Sequence, residues 1–262
     1  MIDPREVLTR PAVEGVTFVY GDSPDQVVEC FGPEDGAPII FIHGGFWRHE
    51  YDRSHVRPLC NALAALGSRV FAIEYRRSGG SGGFPETFED VLTALHAVGG
   101  HITGPVVLAG HSAGGHLALW AAGRRSDSAV EPAGRATDPT VSSMRSPIPI
   151  ASVVALAPVS DLARAFRDDL DDGAVAALLG GSPARFPERY IATDPARSAG
   201  IDVPVTVIHG ELDPWVPIDY SRSYVAEHGG SLVTLPEIEH FGLIDPESPA
   251  WSWVYDAMRR TD

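Results

Sequence analysis

The chain has 262 residues, 44% of them hydrophobic and 21% charged, enough to close one core, and a single domain over residues 1–262 is expected. Its formal charge is −15, and all 20 basic residues are arginines with no basic run among them, so neither nucleic acid nor an anionic membrane is an expected partner. No stretch approaches the ~18 apolar residues that a membrane-crossing helix needs.

The first six residues, Met1 to Glu6, carry no apolar run, so no secretory leader is expected. Short apolar runs at 16–20 and 27–31 read as an antiparallel hairpin at one sheet edge. Cys30 and Cys60 fall in different elements without metal spacing, which points to a reducing, cytoplasmic compartment. A strand at 39–42 precedes His43-Gly44-Gly45-Phe46-Trp47. A helical pattern at 56–66, a strand at 70–73 and a helix at 84–98 follow. The glycine-rich stretch 78–83 lacks the lysine of a phosphate-binding loop and reads as a connection.

A strand at 106–109 then runs into Gly110-His111-Ser112-Ala113-Gly114, and a helix is predicted over 114–123. Residues 124–149 are rich in Ser, Pro, Gly, Asp and Arg and read as a surface loop. After a strand at 152–156, the stretch 161–201 is an insertion with helical patterns at 174–179 and 183–190. It is either a small cap over the carboxyl ends of the strands or plain connecting structure. Strands at 205–208 and 232–235 alternate with helices at 219–228 and 251–260. This alternation predicts an α/β fold: about eight mostly parallel strands flanked by helices.

Gly-x-Ser-x-Gly between a strand and a helix is a turn that lifts the serine hydroxyl clear of the sheet, so Ser112 is the candidate nucleophile. A serine needs a base, a group that orients the base, and donors for the oxyanion. The acid is expected after Ser112 and the histidine after the acid. Asp213, just past the strand at 205–208, is the candidate acid; Glu211 is the runner-up, with Asp161 and Asp245 weaker. Beyond Asp213 only His228 and His240 remain; His228 falls in a predicted helix, leaving His240 as the base. The amides of Gly45, Phe46 and Ala113 are the candidate oxyanion donors, with His43 bracing the loop. Trp47, Trp215 and Phe241 adjoin these loops and are candidates to line a substrate pocket, core packing being the alternative.

Together these segments resemble the α/β-hydrolase superfamily over nearly the whole chain. His43-Gly44-Gly45-Phe46-Trp47 resembles the HGGxW motif of kynurenine formamidases (arylformamidases). Residues 110–117 are similar to the nucleophile segment of that group, and equally to small carboxylesterases and feruloyl-esterase-like enzymes. His209-Gly210-Glu211-Leu212-Asp213 followed by Pro217 resembles the acid loop of prolyl-oligopeptidase-type hydrolases. The resemblance implies a Ser112–Asp213–His240 triad, no cofactor and no metal. Gly115, where formamidases often carry Ala, tips toward a general esterase. The expected function is hydrolysis of a small N-formyl amide or ester, arylformamidase-like, through an acyl-enzyme. The alternative is a carboxylesterase on short-chain or aromatic esters, and the remote one a non-catalytic receptor on the same fold. A small-molecule substrate is expected, and homodimerisation is left open.

Overall fold

The computed structural model describes residues 4–124 and 148–259. Its strands are β1 (Val16–Val19), β2 (Val27–Phe31), β3 (Ala37–Ile42), β4 (Ser68–Ile73), β5 (Val106–His111), β6 (Ile150–Leu156), β7 (Val205–Gly210) and β8 (Ser231–Leu235). They form one sheet in the order β1-β2-β4-β3-β5-β6-β7-β8. β1 pairs antiparallel with β2, and β2 antiparallel with β4; every other neighbouring pair is parallel. The expected hairpin therefore forms the edge of an otherwise parallel sheet, and each predicted strand is present. β5 and β7 each run two residues past the predicted end, because Gly110 pairs with Ile42 and Ala155, and Gly210 with Leu235.

The helices are α1 (Arg57–Ala65), α2 (Glu86–Gly99), α3 (Ala113–Ala122), α4 (Leu162–Arg167), α5 (Ala174–Leu179), α6 (Pro187–Thr193), α7 (Asp219–His228) and α8 (Trp251–Arg259). The central strands are apolar at nearly every position because both sheet faces are covered. In β3 the two-residue period feeds two cores. Ile39 and Phe41 join the cluster of Leu59 and Leu63 from α1 and Val254 and Met258 from α8. Ile40 and Ile42 join that of Val91 and Leu95 from α2 and Leu117 from α3. No described helix is long and apolar enough to cross a membrane.

α3 is buried along its whole length, including His116, and its apolar circumference follows from what surrounds it. On one side lies the sheet. On another lies α6, whose end accepts hydrogen bonds from Trp120 Nε1 (to Ala192 O, 2.9 Å) and His116 Nε2 (to Thr193 O, 2.9 Å). The 161–201 segment is thus packed on one face, although the predicted helix at 183–190 begins only at Pro187. Asp194 ties the segment together by accepting from Leu162 N (3.0 Å) and Ala163 N (3.1 Å) at the start of α4; burial pushes its pKa up to about 6 against these bonds. The expected surface loop at 124–149 falls mostly on 125–147, outside the described residues.

Candidate active site

Ser112 stands between β5 and α3 with φ 56° and ψ −118°. A left-handed serine costs about 1–3 kcal/mol and persists only where its surroundings enforce it. Here they do. Ser112 N donates to Leu156 O (2.8 Å), and Ser112 O accepts from His116 N (3.0 Å). A Cβ on Gly114 would run into the carbonyls of Ile42 and His43, and one on Gly110 into the carbonyl of Gly114. The two glycines of the motif are small because strand, turn and helix touch backbone to backbone.

Asp213 lies in the turn after β7. Its Oδ1 accepts from Trp215 N (2.8 Å) and Val216 N (2.9 Å), and its Oδ2 lies 2.5 Å from His240 Nδ1. Burial pushes the carboxyl up, but the hydrogen bonds from His209, His240 and the Val216 amide outweigh it and hold Asp213 well below the usual carboxylate range. The other acids have different work. Glu211 faces Arg222 (3.7 Å), Asp161 caps α4 through Arg164 N (2.7 Å), and Asp245 pairs with Arg10 (2.6 Å).

His240 follows β8, and Glu239 holds that loop by accepting from Phe241 N (2.9 Å) and Gly242 N (2.6 Å). His111 Nε2 donates to His240 O (3.1 Å), and the two rings lie 4.4 Å apart. Burial, with His240 and His55 nearby, pushes His111 well below the ordinary histidine range, so it stays neutral beside His240.

His209 was not expected at the site. Its Nε2 lies 2.9 Å from Val216 O and 3.2 Å from Asp213 Oδ2, sharing one N–H between them, while Nδ1 lies 2.7 Å from Ser221 Oγ. Because Val216 O only accepts, the proton sits on Nε2 and the Ser221 hydroxyl donates to Nδ1. The signal was in the sequence: a histidine four positions before Asp213, at the carboxyl end of a buried strand.

The loop after β3 runs through positive φ at Gly45 (103°), Phe46 (47°) and Trp47 (57°). A Cβ on Gly44 would lie 3.0 Å from Ser112 Cβ, so this backbone passes directly over Ser112. Ala113 is the first residue of α3, where an N–H has no acceptor within the helix. His43 braces the loop: Nε2 is 2.8 Å from Glu74 Oε1, Nδ1 is 2.8 Å from Gly44 O, and Tyr75 OH donates to His43 O (3.0 Å).

Ser112 and His240 line one cleft of 390 Å³, together with Gly45, Phe46, Trp215 and Phe241. Trp215 and Phe241 pack edge to face at 5.9 Å. Trp47 is the correction. Its indole does not line the cleft but lies in the core, where it is fully buried and meets the His116 ring edge-on at 5.2 Å. Core packing, the competing reading of Trp47, is what the fold realises. The cleft also has walls that the sequence did not disclose: Asp171 from the 161–201 segment, Tyr51, and Arg5, Leu8 and Thr9 near the amino terminus.

Comparison with known proteins bears on this geometry. The sequence profile described as BD-FAE matches residues 32–227. The curated protein "Probable carboxylic ester hydrolase LipM" of Mycobacterium tuberculosis is 30% identical over 197 residues, 72% of this chain and 44% of that protein. An acetyl-hydrolase of Streptomyces hygroscopicus is 33% identical over 190 residues, 71% of this chain and 56% of that one. The chain thus spans about half the length of these curated relatives. Among solved structures, esterase B of Lactobacillus rhamnosis superposes with a TM-score of 0.72 at 20% identity, covering 97% of this chain and 90% of that one, a likeness of fold.

Proposed function

This chain belongs to the BD-FAE family, and from that premise we propose that it is a serine esterase acting on small carboxylic esters. The observation that carries the reading is the His240–Asp213 pair, 2.5 Å between Nδ1 and Oδ2, set in the same cleft as a serine held at φ 56° on its elbow. Ser112 attacks the ester carbonyl while His240 takes the hydroxyl proton. Asp213 fixes the Nδ1–H tautomer and stabilises the imidazolium. The amides of Gly45, Phe46 and Ala113 receive the oxyanion. His240 then protonates the departing alcohol, and the acyl-enzyme is hydrolysed by water activated at the same imidazole.

A formamide would pass through the same steps, so the triad does not separate the two substrates; the pocket does. An aryl formamide could set its ring against Trp47 or Phe241; Trp47 is buried in the core, and Phe241 is the one of the two that lines the cleft. The relatives named as ester hydrolase and acetyl-hydrolase support the ester reading. The 161–201 segment acts in this reading as a partial cap, reaching the cleft through Asp171. Side-by-side kcat/KM on p-nitrophenyl esters and on N-formylkynurenine tests the proposal. Ester turnover well above formamide turnover is expected, and the reverse order restores the formamidase.

A further inference from the structure

The cleft has a wall built from residues that precede the first strand. Pro4–Thr9 form a 3-10 helix, and with three residues per turn the side chains at i and i+3 eclipse. That period sorts the segment into two faces. Arg5 and Leu8 share one and line the cleft with Ser112 and His240, joined by Thr9. Val7 and Arg10 share the other, the turn extending to Arg10 through a 3.4 Å bond from its N to Val7 O. Val7 is 1% exposed in the core cluster of α1 and α8. The Arg10 guanidinium grips both carboxylate oxygens of Asp245, at 2.6 and 3.0 Å. Asp245 closes the loop that begins at His240, and the segment packs against the turn Phe241–Leu243 of that loop. One loop therefore carries both the base and the latch of the wall.

The base fixes which part of a substrate meets this wall. His240 hands its proton to the departing alcohol oxygen, so the alcohol lies on the His240 side of the serine. We propose that the amino-terminal 3-10 helix is the alcohol-side specificity wall of the site, with Leu8 the side chain that the leaving group packs against and the Arg10–Asp245 pair the latch that sets its position. The inference rests on the ester reading above.

Two ester series on the full chain test it. Ethyl, p-nitrophenyl and 1-naphthyl acetates vary the alcohol; p-nitrophenyl acetate, butyrate and octanoate vary the acyl group. Leu8→Ala should raise the 1-naphthyl to ethyl ratio of kcat/KM by about fivefold or more, and Leu8→Phe should lower it comparably. Arg10→Met should flatten the alcohol preference. The acyl-series ratios should stay within about twofold, and thermal unfolding confirms that each variant is folded. An alcohol ratio that stays put in folded Leu8→Ala and Leu8→Phe overturns the proposal, as does a shift confined to the acyl series. A wild-type chain that hydrolyses none of these esters overturns the ester reading itself, and this inference with it.

Discussion

Asp213 Oδ2 receives two imidazoles, His240 at 2.5 Å and His209 at 3.2 Å, while its Oδ1 takes the amides of Trp215 and Val216. Every lone-pair direction of the carboxylate is engaged, which is why it stays ionised although buried. Asp213→Asn keeps the size and one acceptor but turns an amide N–H toward His240 Nδ1, or leaves that ring without its anion. The imidazole then holds the wrong tautomer. kcat should fall about 10³–10⁴-fold with KM little changed. A loss below tenfold in steady-state kinetics would remove Asp213 from the triad.

Ser112→Ala removes the nucleophile and leaves the elbow, since the positive φ is enforced by the Gly110 and Gly114 contacts and not by the hydroxyl. Activity should drop by about 10⁴-fold or more with no loss of thermal stability. A fluorophosphonate should label the wild type at Ser112 and spare the variant. Folded wild-type protein that resists the probe would favour a receptor on this fold.

His209 acts through the acid. His209→Leu deletes the N–H shared by Val216 O and Asp213 Oδ2 and loosens the turn that aims the carboxylate. We expect a fall in kcat of about 10–100-fold at similar KM, the range for supporting partners that orient a catalytic group. Ser221→Ala, which only removes the donor to Nδ1 (2.7 Å), should lose less in the same direction. A KM effect without a kcat effect would make His209 a pocket residue instead.

What the sequence disclosed, and what it hid, follows from the range of the interactions. The eight strands were legible because each is an apolar run closed by a turn, and the elbow because its Gly-x-Ser-x-Gly pattern sits between a strand and a helix, with Gly110 forced by the carbonyl of Gly114 four residues on. Asp213 and His240 were legible from chain order. Trp47 was not, because Phe46 and Trp47 both sit at positive φ, yet one lines the cleft and the other packs on His116, a difference that only long-range packing makes. The wall at Arg5, Leu8 and Thr9 was hidden because it depends on an ion pair spanning 235 positions. α4 was missed although Asp161 before Leu162-Ala163-Arg164 is an N-cap signal.

His116 allows a test of stability against pH. It is fully buried between α6 and the Trp47 ring, and burial pushes its pKa down to about 4 against the hydrogen bond to Thr193 O. The unfolded chain takes up this proton near 6.5, the folded chain only near 4. Between those values the unfolded state binds more protons, so the contribution is complete above pH 6.5 and is lost as pH falls toward 4. The slope approaches about 1.4 kcal/mol per pH unit, for a total of about 3 kcal/mol. His116→Gln keeps a donor for Thr193 O but does not titrate. It should be less stable than wild type at pH 7.5, and the gap should close as the pH is lowered to 4.5. Urea midpoints at four or five pH values read this directly; parallel curves for the two proteins would show that folding leaves the His116 pKa unshifted.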